Sequence, residues 1–460
     1  MNLFRLKCGN SANQKFNKSA WLLVVLVVAY LAISPMAQAV VPAPDGGYPG
    51  GNTAEGQKAL FSLTTGGFNT AVGWLSLETN ITGQFNTGVG AGTLALNTGD
   101  ENTASGTGAL LLNTTGTGNT ANGALALFHN TVGIQNTASG GTALFSNTTG
   151  DNNTAIGISA LFTNATGSAN TASGYKALIS NTTGNENTAM GASALFSNTI
   201  ADQNTALGTS ALTSNTTGAH NTATGYQALM SNINGVDNTA TGLGALAANT
   251  TGADNTAVGV GALQNNTTGN ENVALGTVAG VNATGSFNVY IGAGENGVAG
   301  ESNACYIASI FNQTSANGVP VLINSDDKLG TMTSSRRFKE EIKPVDKASE
   351  TLFALKPVTF HYKKEIDPAR RWQFGLVAED VEKVNPNLVV RDKEGKPYSV
   401  RYDQVNAMLL NEFLKEHRAF LEEQRKVEKL ERQVEALTAG LQKVSAQIEV
   451  NKPAERAVMN

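Results

Sequence analysis

The stretch Asn170-Thr171-Ala172-Ser173-Gly174-Tyr175-Lys176-Ala177-Leu178-Ile179-Ser180-Asn181-Thr182-Thr183-Gly184-Asn185-Glu186 decides the fold, because its pattern recurs along half the chain. It is found again, equally cleanly, from Asn204 to His220. An Asn opening Asn-Thr-Ala-x-Gly or a near variant stands at Asn52, Asn69, Asn86, Asn102, Asn119, Asn136, Asn153, Asn170, Asn187, Asn204, Asn221, Asn238, Asn255, Asn272 and Asn288. The spacing is 17 residues, except for 16 at Asn86→Asn102 and Asn272→Asn288. A period of this kind outranks every other signal in the sequence.

A helical hairpin repeat needs about 33 residues or more, and Gly with β-branched Thr in every unit opposes helix. Leucine-rich repeats need several leucines per unit, and here there is about one. Calcium-binding nonapeptide repeats need aspartates in their turns, yet many of these units hold no acid. What remains is a coil of parallel strands, with two short strands and two turns filling a unit at roughly 3.3 Å per strand residue. The Ala of Thr-Ala and the Ala-Leu pair supply a small apolar interior. Gly provides positive φ where the chain turns. The recurring Asn is placed to bond its own backbone and to stack as a ladder on the next coil. One coil buries little, so neighbours must stack; fifteen coils at about 4.8 Å give a rod of roughly 70 Å.

These repeats, over residues 52–300, resemble the head repeats of trimeric autotransporter adhesins, which implies a left-handed β-roll in a three-chain bundle. A single-chain β-solenoid fits the residues as well. Regular Thr columns also suit an ice-binding face, but Thr is equally expected as a strand and turn residue, and the bland reading is preferred. The many Asn-x-Thr triplets follow from the repeat and carry no separate information.

Composition outside the repeat agrees. The 460 residues include 50 Gly and 11 Pro, with 15% charged and 6% aromatic, whereas an ordinary globular chain is about one quarter charged. The net charge of −5 is partitioned: residues 40–301 hold two cations and thirteen acids, residues 302–460 twenty-five and twenty-three. No basic face stands out, so nucleic acid is not an expected partner. At the N-terminus a basic stretch precedes an apolar run from Ala20 to about Ile33 and then Ala37-Gln38-Ala39. This is the pattern of a cleaved export signal over residues 1–39, and the run is short of the roughly 20 residues that span a bilayer. Residues 40–51 are then a linker. Export places the protein in the medium or on the cell surface, its contact with a membrane limited to that passage. Only Cys305 remains after cleavage, so no internal disulfide is expected.

Periodicity stops near Gly300. Residues 301–333 are expected as a short β connector, with strands at Ala304–Ile310 and Val319–Ile323. A helix is expected from Asp346 to Leu355, stopped by Pro357. Strands are expected at Val358–Tyr362, at Gln373–Val377 running into a helix that ends before Pro386, and at Tyr398–Tyr402. A long helix follows from about Gln404, with a 451–460 tail expected to be disordered. Val427, Leu430, Val434, Leu437, Leu441, Val444 and Ile448 alternate spacings of three and four, the seam of a parallel coiled coil.

Three motifs of this region are Ser334-x-x-Arg337-x-Lys339, Phe374-Gly375-Leu376-Val377-Ala378-Glu379 and Tyr402-Asp403-Gln404-Val405-Asn406-Ala407-Met408-Leu409-Leu410. Together they resemble the endosialidase-type intramolecular chaperone domain, expected over residues 334–405 as a small α/β fold. The resemblance implies that the domain directs homotrimer assembly and then cuts itself off. It also implies Ser334 as nucleophile and Lys339 as base, the Thr333–Ser334 bond being broken. A Ser hydroxyl needs an adjacent base, and Lys serves when burial or cationic neighbours lower its pKa; Arg336 and Arg337 are close in sequence. Five residues apart, the two side chains fall on opposite faces of a strand and about 140° apart on a helix. The pair therefore requires a turn between them or a contact across chains.

The four His (His129, His220, His361, His417) lack metal-ligand spacing, and no phosphate loop or nucleophile elbow occurs. No cofactor is expected. Two readings follow: an exported trimeric fibre with an adhesive rod, its surface or carbohydrate ligand unspecified, or a phage tail-fibre-like structural protein with a non-cleaving trimerisation tail.

Overall fold

A computed structural model describes residues 48–313 and 315–451. The expected export signal, most of the 40–51 linker and residues 452–460 lie outside the described residues. The chain divides into two units, one ending at Gln313 and one beginning at Thr314.

The first unit is a β-solenoid built by one chain stacking on itself. Sixteen three-residue strands, from β1 (Thr53–Glu55) to β16 (Cys305–Ile307), form one parallel sheet in strict sequence order. Register is that of the repeat: Thr205 pairs with Thr222, Ala206 with Ala223, Leu207 with Thr224. The middle residue of each strand points inward, so the alanines of Thr-Ala are buried, as are the Ala-Leu pairs such as Ala177 and Leu178. The sheet reaches past Gly300, because Val289 pairs with Cys305 and Tyr290 with Tyr306. Cys305–Ile307 thus completes the solenoid, where the sequence suggested a separate connector.

Each coil holds one strand, where two were expected. The Ala-Leu arc is a run of turns in which right-handed and left-handed residues alternate: Lys176 has φ 57° and Leu178 φ 51°, and the same pair of positions repeats in coil after coil. This alternation aims successive N–H groups along the stack. Leu178 N–H donates to the Ala194 carbonyl of the next coil (3.0 Å), and Lys176 N–H to the Ile158 carbonyl of the preceding one (3.1 Å). Left-handed backbone costs a non-Gly residue about 1–2 kcal/mol. Full burial of the Leu side chain contributes about 1.5–3 kcal/mol, and the cross-coil bonds add to it. The sequence signalled positive φ only at Gly, so these leucines were not legible in it.

Two Asn ladders run through the stack. In the first, each repeat-opening Asn from Asn69 to Asn288 donates its backbone N–H to Oδ1 of the Asn one coil earlier, and all but Asn86 and Asn102 add Nδ2 to the same oxygen, as Asn170 does to Asn153 (3.0 and 3.1 Å). Nδ2 also donates to the Gly184 carbonyl (2.8 Å). The second ladder uses the twelfth residue of the unit: Asn181 Nδ2 donates to Asn164 Oδ1 (2.7 Å) and to the Gly184 carbonyl (2.9 Å). Both ladders are fully buried, where an unmet amide group costs about 1–3 kcal/mol. The repeats of 16 residues interrupt the second ladder. The shortened turn after Asn97 takes its Nδ2 to the Gly99 carbonyl, leaving Asn80 Oδ1 with no partner, and Ala283 stands where the next Asn would bond Asn266 Oδ1, which is also unpartnered. Asn181→Ala is therefore expected to destabilise the rod by roughly 1–3 kcal/mol more than Asn266→Ala, because Asn266 is bonded on one side only. Thermal unfolding of the two variants measures the difference; equal losses contradict the ladder account.

The C-terminal end of the solenoid is closed by aromatic rings. Gly280 replaces the usual Leu, and Tyr290 replaces the strand Ala, its ring fully buried in the space so opened. An added Cβ at Gly280 would meet that ring at 2.6 Å. Tyr306 stacks on Tyr290 with centroids 5.6 Å apart, and its hydroxyl donates to Glu301 Oε2 (2.6 Å). Burial, with the nearby Glu301 carboxylate, pushes the Tyr290 phenol up to about 12.

The second unit is a small α/β domain with a long helix. Strands β17 (Val321–Ile323) and β18 (Leu329–Thr331) pair antiparallel, as do β19 (Val358–Phe360) with β20 (Gln373–Gly375) and β21 (Val389–Arg391) with β22 (Pro397–Val400). Helix α1 spans Ala378–Val384 and helix α2 spans Tyr402–Val450. Residues Asp346–Ala354 are helical as expected, but wound as a 3-10 helix. The core is compact: Val381, Leu388, Val389, Val400, Val405 and Met408, with Leu352, Leu355, Leu376 and Ala378 packed against it.

Candidate active site

Ser334 follows β18, and the chain then makes one 3-10 turn at Arg336–Phe338 before Lys339 returns to extended backbone. Phe338 N–H donates to the Ser335 carbonyl and Lys339 N–H to that of Arg336, both at 3.1 Å. That single turn resolves the spacing problem. It folds the two flanking segments together and places Lys339 Nζ 3.2 Å from Ser334 Oγ, within one chain. Arg337 lies over the Phe338 ring at 4.6 Å, which turns its guanidinium onto an aromatic face. Lys343, four residues beyond Lys339, pairs with Glu341 (3.6 Å). Ser334 and Lys339 are both exposed, so the single chain supplies the contact without excluding water from it.

The other two motifs meet in space. The Tyr402 hydroxyl accepts the Leu376 N–H at 3.0 Å, tying the start of α2 to the segment that leads from β20 into α1. A Cβ at Gly375 would stand 3.0 Å from that hydroxyl, so the small residue there makes room for the tyrosine. A second tie was not legible in the sequence. Ser349 is buried and donates its hydroxyl to Glu412 Oε1; it accepts from Asn411 Nδ2 (2.7 Å). Lys415 Nζ donates to the same Glu412 oxygen (2.7 Å). The hydrogen bonds from Lys415 and then Ser349 hold the Glu412 carboxyl below its ordinary value. This latch joins residues more than 60 positions apart, and no local pattern announces such pairs. His361 rests against Trp372, centroids 3.9 Å apart, with its buried Nδ1 unpartnered.

Much apolar surface in this unit is left uncovered by the described residues. Phe353, Trp372, Phe374 and Tyr398 are 66–83% exposed, and the seven seam residues of α2 from Val427 to Ile448 are 49–67% exposed. Contiguous exposed patches of this kind mark interaction surfaces.

Residues 334–390 match the family model described as the chaperone of endosialidase, a peptidase family. The match opens on Ser334 and includes Lys339, so the second unit carries a chaperone-of-endosialidase domain behind a β-solenoid. No curated protein and no solved structure matches the chain.

Proposed function

We propose that the protein is an exported, trimeric fibre whose C-terminal domain assembles three chains and then releases itself by cutting the Thr333–Ser334 bond. The contact between Lys339 Nζ and Ser334 Oγ carries this reading. Lys339, once neutral, takes the hydroxyl proton, and Ser334 Oγ bonds to the Thr333 carbonyl carbon. The carbon–nitrogen bond breaks, the Ser334 nitrogen takes up a proton, and the resulting ester is hydrolysed by water to a Thr333 carboxylate and a free Ser334 residue. A lysine acts as base at neutral pH only when its charged form is disfavoured. The two exposed side chains gain that environment when neighbouring copies cover them, which couples cleavage to assembly. The exposed seam of α2 supplies the assembly contact, as a parallel coiled coil of three helices.

Mass spectrometry of the purified full chain tests the proposal. The expected products end at Thr333 and begin at Ser334, and both Ser334→Ala and Lys339→Ala abolish the cut. An uncut chain after long incubation, or a cut that survives Ser334→Ala, removes the peptidase and leaves a trimerising tail. N-terminal sequencing of protein recovered outside the cell tests export, with a start at Val40 expected and an intact Met1 in cytosol against it.

A further inference from the structure

The Thr333–Ser334 bond is preceded by the hairpin of β17 and β18, whose side chains Val321, Leu322, Ile323 and Leu329 are all exposed. Apolar burial therefore does not hold this hairpin against the domain that follows. Its turn is nevertheless well defined. Asn324 Oδ1 accepts the N–H groups of Asp326 (3.1 Å) and Lys328 (2.9 Å), and Asp327 between them takes left-handed backbone at φ 59°. Beyond the bond, the turn between β21 and β22 is equally fixed. Asp392 Oδ1 accepts the Lys396 N–H (2.8 Å), and Arg391 Nη1 donates to the Gly395 carbonyl (2.9 Å). Arg391 Nη2 pairs with Glu382 of α1, while Val389 and Val400 of the same hairpin are buried in the core. From the tip of this second turn Lys393 Nζ donates to Asp327 Oδ2 (2.5 Å). The Ser335 N–H also reaches back across the bond, to Thr333 Oγ1 (3.4 Å). Among the described residues, no other hydrogen bond or ion pair joins residues 315–333 to the chain beyond Ser334.

We infer that Asp327 and Lys393 are positioning residues for the self-cleavage, their ion pair spanning the Thr333–Ser334 bond and fixing the Thr333 carbonyl before the Ser334 hydroxyl; the inference rests on the cleavage reading above. The carbonyl under attack belongs to the upstream segment, whereas the hydroxyl and its base belong to the downstream one. Two groups react readily only when both are held in the reacting geometry. The 3-10 turn at Arg336–Phe338 holds Ser334 and Lys339, but it does nothing for the segment before the bond. The clamp at Asp327 stands six residues before Thr333 and anchors that segment to a turn built into the core. The side chains of Lys393 and Asp327 are 60% and 72% exposed, so the pair is weak and sensitive to salt. While the chain is intact its closure is intramolecular, which favours it. Once the bond is cut the tether is gone, and so weak a pair lets the tail depart.

The test follows the full chain, pulse-labelled during cell-free synthesis, and times the appearance of the fragment that begins at Ser334. Rates are compared at about 0.1 M and about 1 M salt, where screening lengths are about 10 Å and about 3 Å. Asp327→Asn and Lys393→Gln are each expected to slow the cut about two- to five-fold, the range an exposed ion pair supports. Lys393→Arg keeps the charge and is expected to cut near the parent rate. The parent is expected to slow more with salt than Asp327→Asn, which has no pair left to screen. Parent rates in Asp327→Asn and Lys393→Gln, an equal salt response in parent and variants, or a Lys393→Arg chain as slow as Lys393→Gln overturns the positioning role and leaves the cleavage reading standing. Sedimentation reports assembly, and a variant slowed through loss of its oligomer also counts against the clamp. A parent that is never cut overturns the cleavage reading itself, and the inference with it.

Discussion

Gly191→Ala is expected to disrupt the solenoid severely, as at the other position-5 glycines, with a loss above about 4 kcal/mol, the range reserved for severe substitutions. Two independent effects act at this position. Gly191 has φ 136°, a region that side chains with a Cβ rarely adopt, and the added Cβ would sit 2.6 Å from both the carbonyl carbon and the oxygen of Gly208. Those are backbone atoms of the next coil, held by the sheet on one side and the Ala-Leu arc on the other, so neither can move alone. Position 5 is Gly in all fifteen units, from Gly56 to Gly292. Gly184→Ala is the informative comparison. A Cβ there would also lie 2.5 Å from a carbonyl oxygen, yet the next coil already carries Ala201 at the same position. Beside Ala201 the ladder changes by one bond: Asn204 Nδ2 donates to the Asp202 carbonyl (3.1 Å) without the bond to the fifteenth residue of its own coil that Asn170 and Asn221 make. Because coils contact only their neighbours, a break at Gly191 divides the stack into two blocks that unfold separately. Calorimetry of the three proteins checks this. One unchanged transition for Gly191→Ala, or greater damage from Gly184→Ala, contradicts it.

Deletion of residues 334–460 is expected to leave the rod aggregated. The cause lies in the repeat itself. Every coil presents the same Thr-Ala edge and the same Asn acceptors, so coil n can pair with coil n+2 nearly as well as with coil n+1, and unpaired parallel edges recruit other chains. Parallel, non-local pairing is also slow to form. An assembly domain that gathers three chains at one end gives the coils a common starting point and lets them close in order. Sedimentation of the truncated chain decides the matter: a soluble, trimeric rod from residues 40–333 shows that the coils need no help.

The sequence disclosed what repeats or stands close. The period, the buried alanines, the glycine turns and the first Asn ladder all follow from one residue type at one spacing, and each is present. The sequence asked for a turn between Ser334 and Lys339 or a contact across chains, and the 3-10 turn at Arg336–Phe338 brings the two side chains together within one chain. Three features were not legible, for different reasons. The left-handed leucines depend on cross-coil hydrogen bonds that no residue preference announces. Tyr290 fills a hole made by Gly280, a compensation visible only once the two are neighbours in space. The Ser349–Glu412–Lys415 latch joins segments distant in sequence. The second Asn ladder stood in the repeat unit all along, yet Asn before Thr in a turn is so ordinary a choice that its burial was not apparent.

A stack in which every coil offers its neighbour the same register also works as a ruler. Removing or adding one whole unit joins a Thr-Ala edge to an identical Thr-Ala edge, and both ladders close across the seam with the same donors and acceptors. The rod can therefore change length in steps of about 4.8 Å without altering the chemistry on either side of the step or the aromatic plug that ends it. A change of one residue does not have this freedom, as the stranded oxygens of Asn80 and Asn266 record. Reach is thus a quantity this chain can vary in whole repeats, independently of the domain that follows.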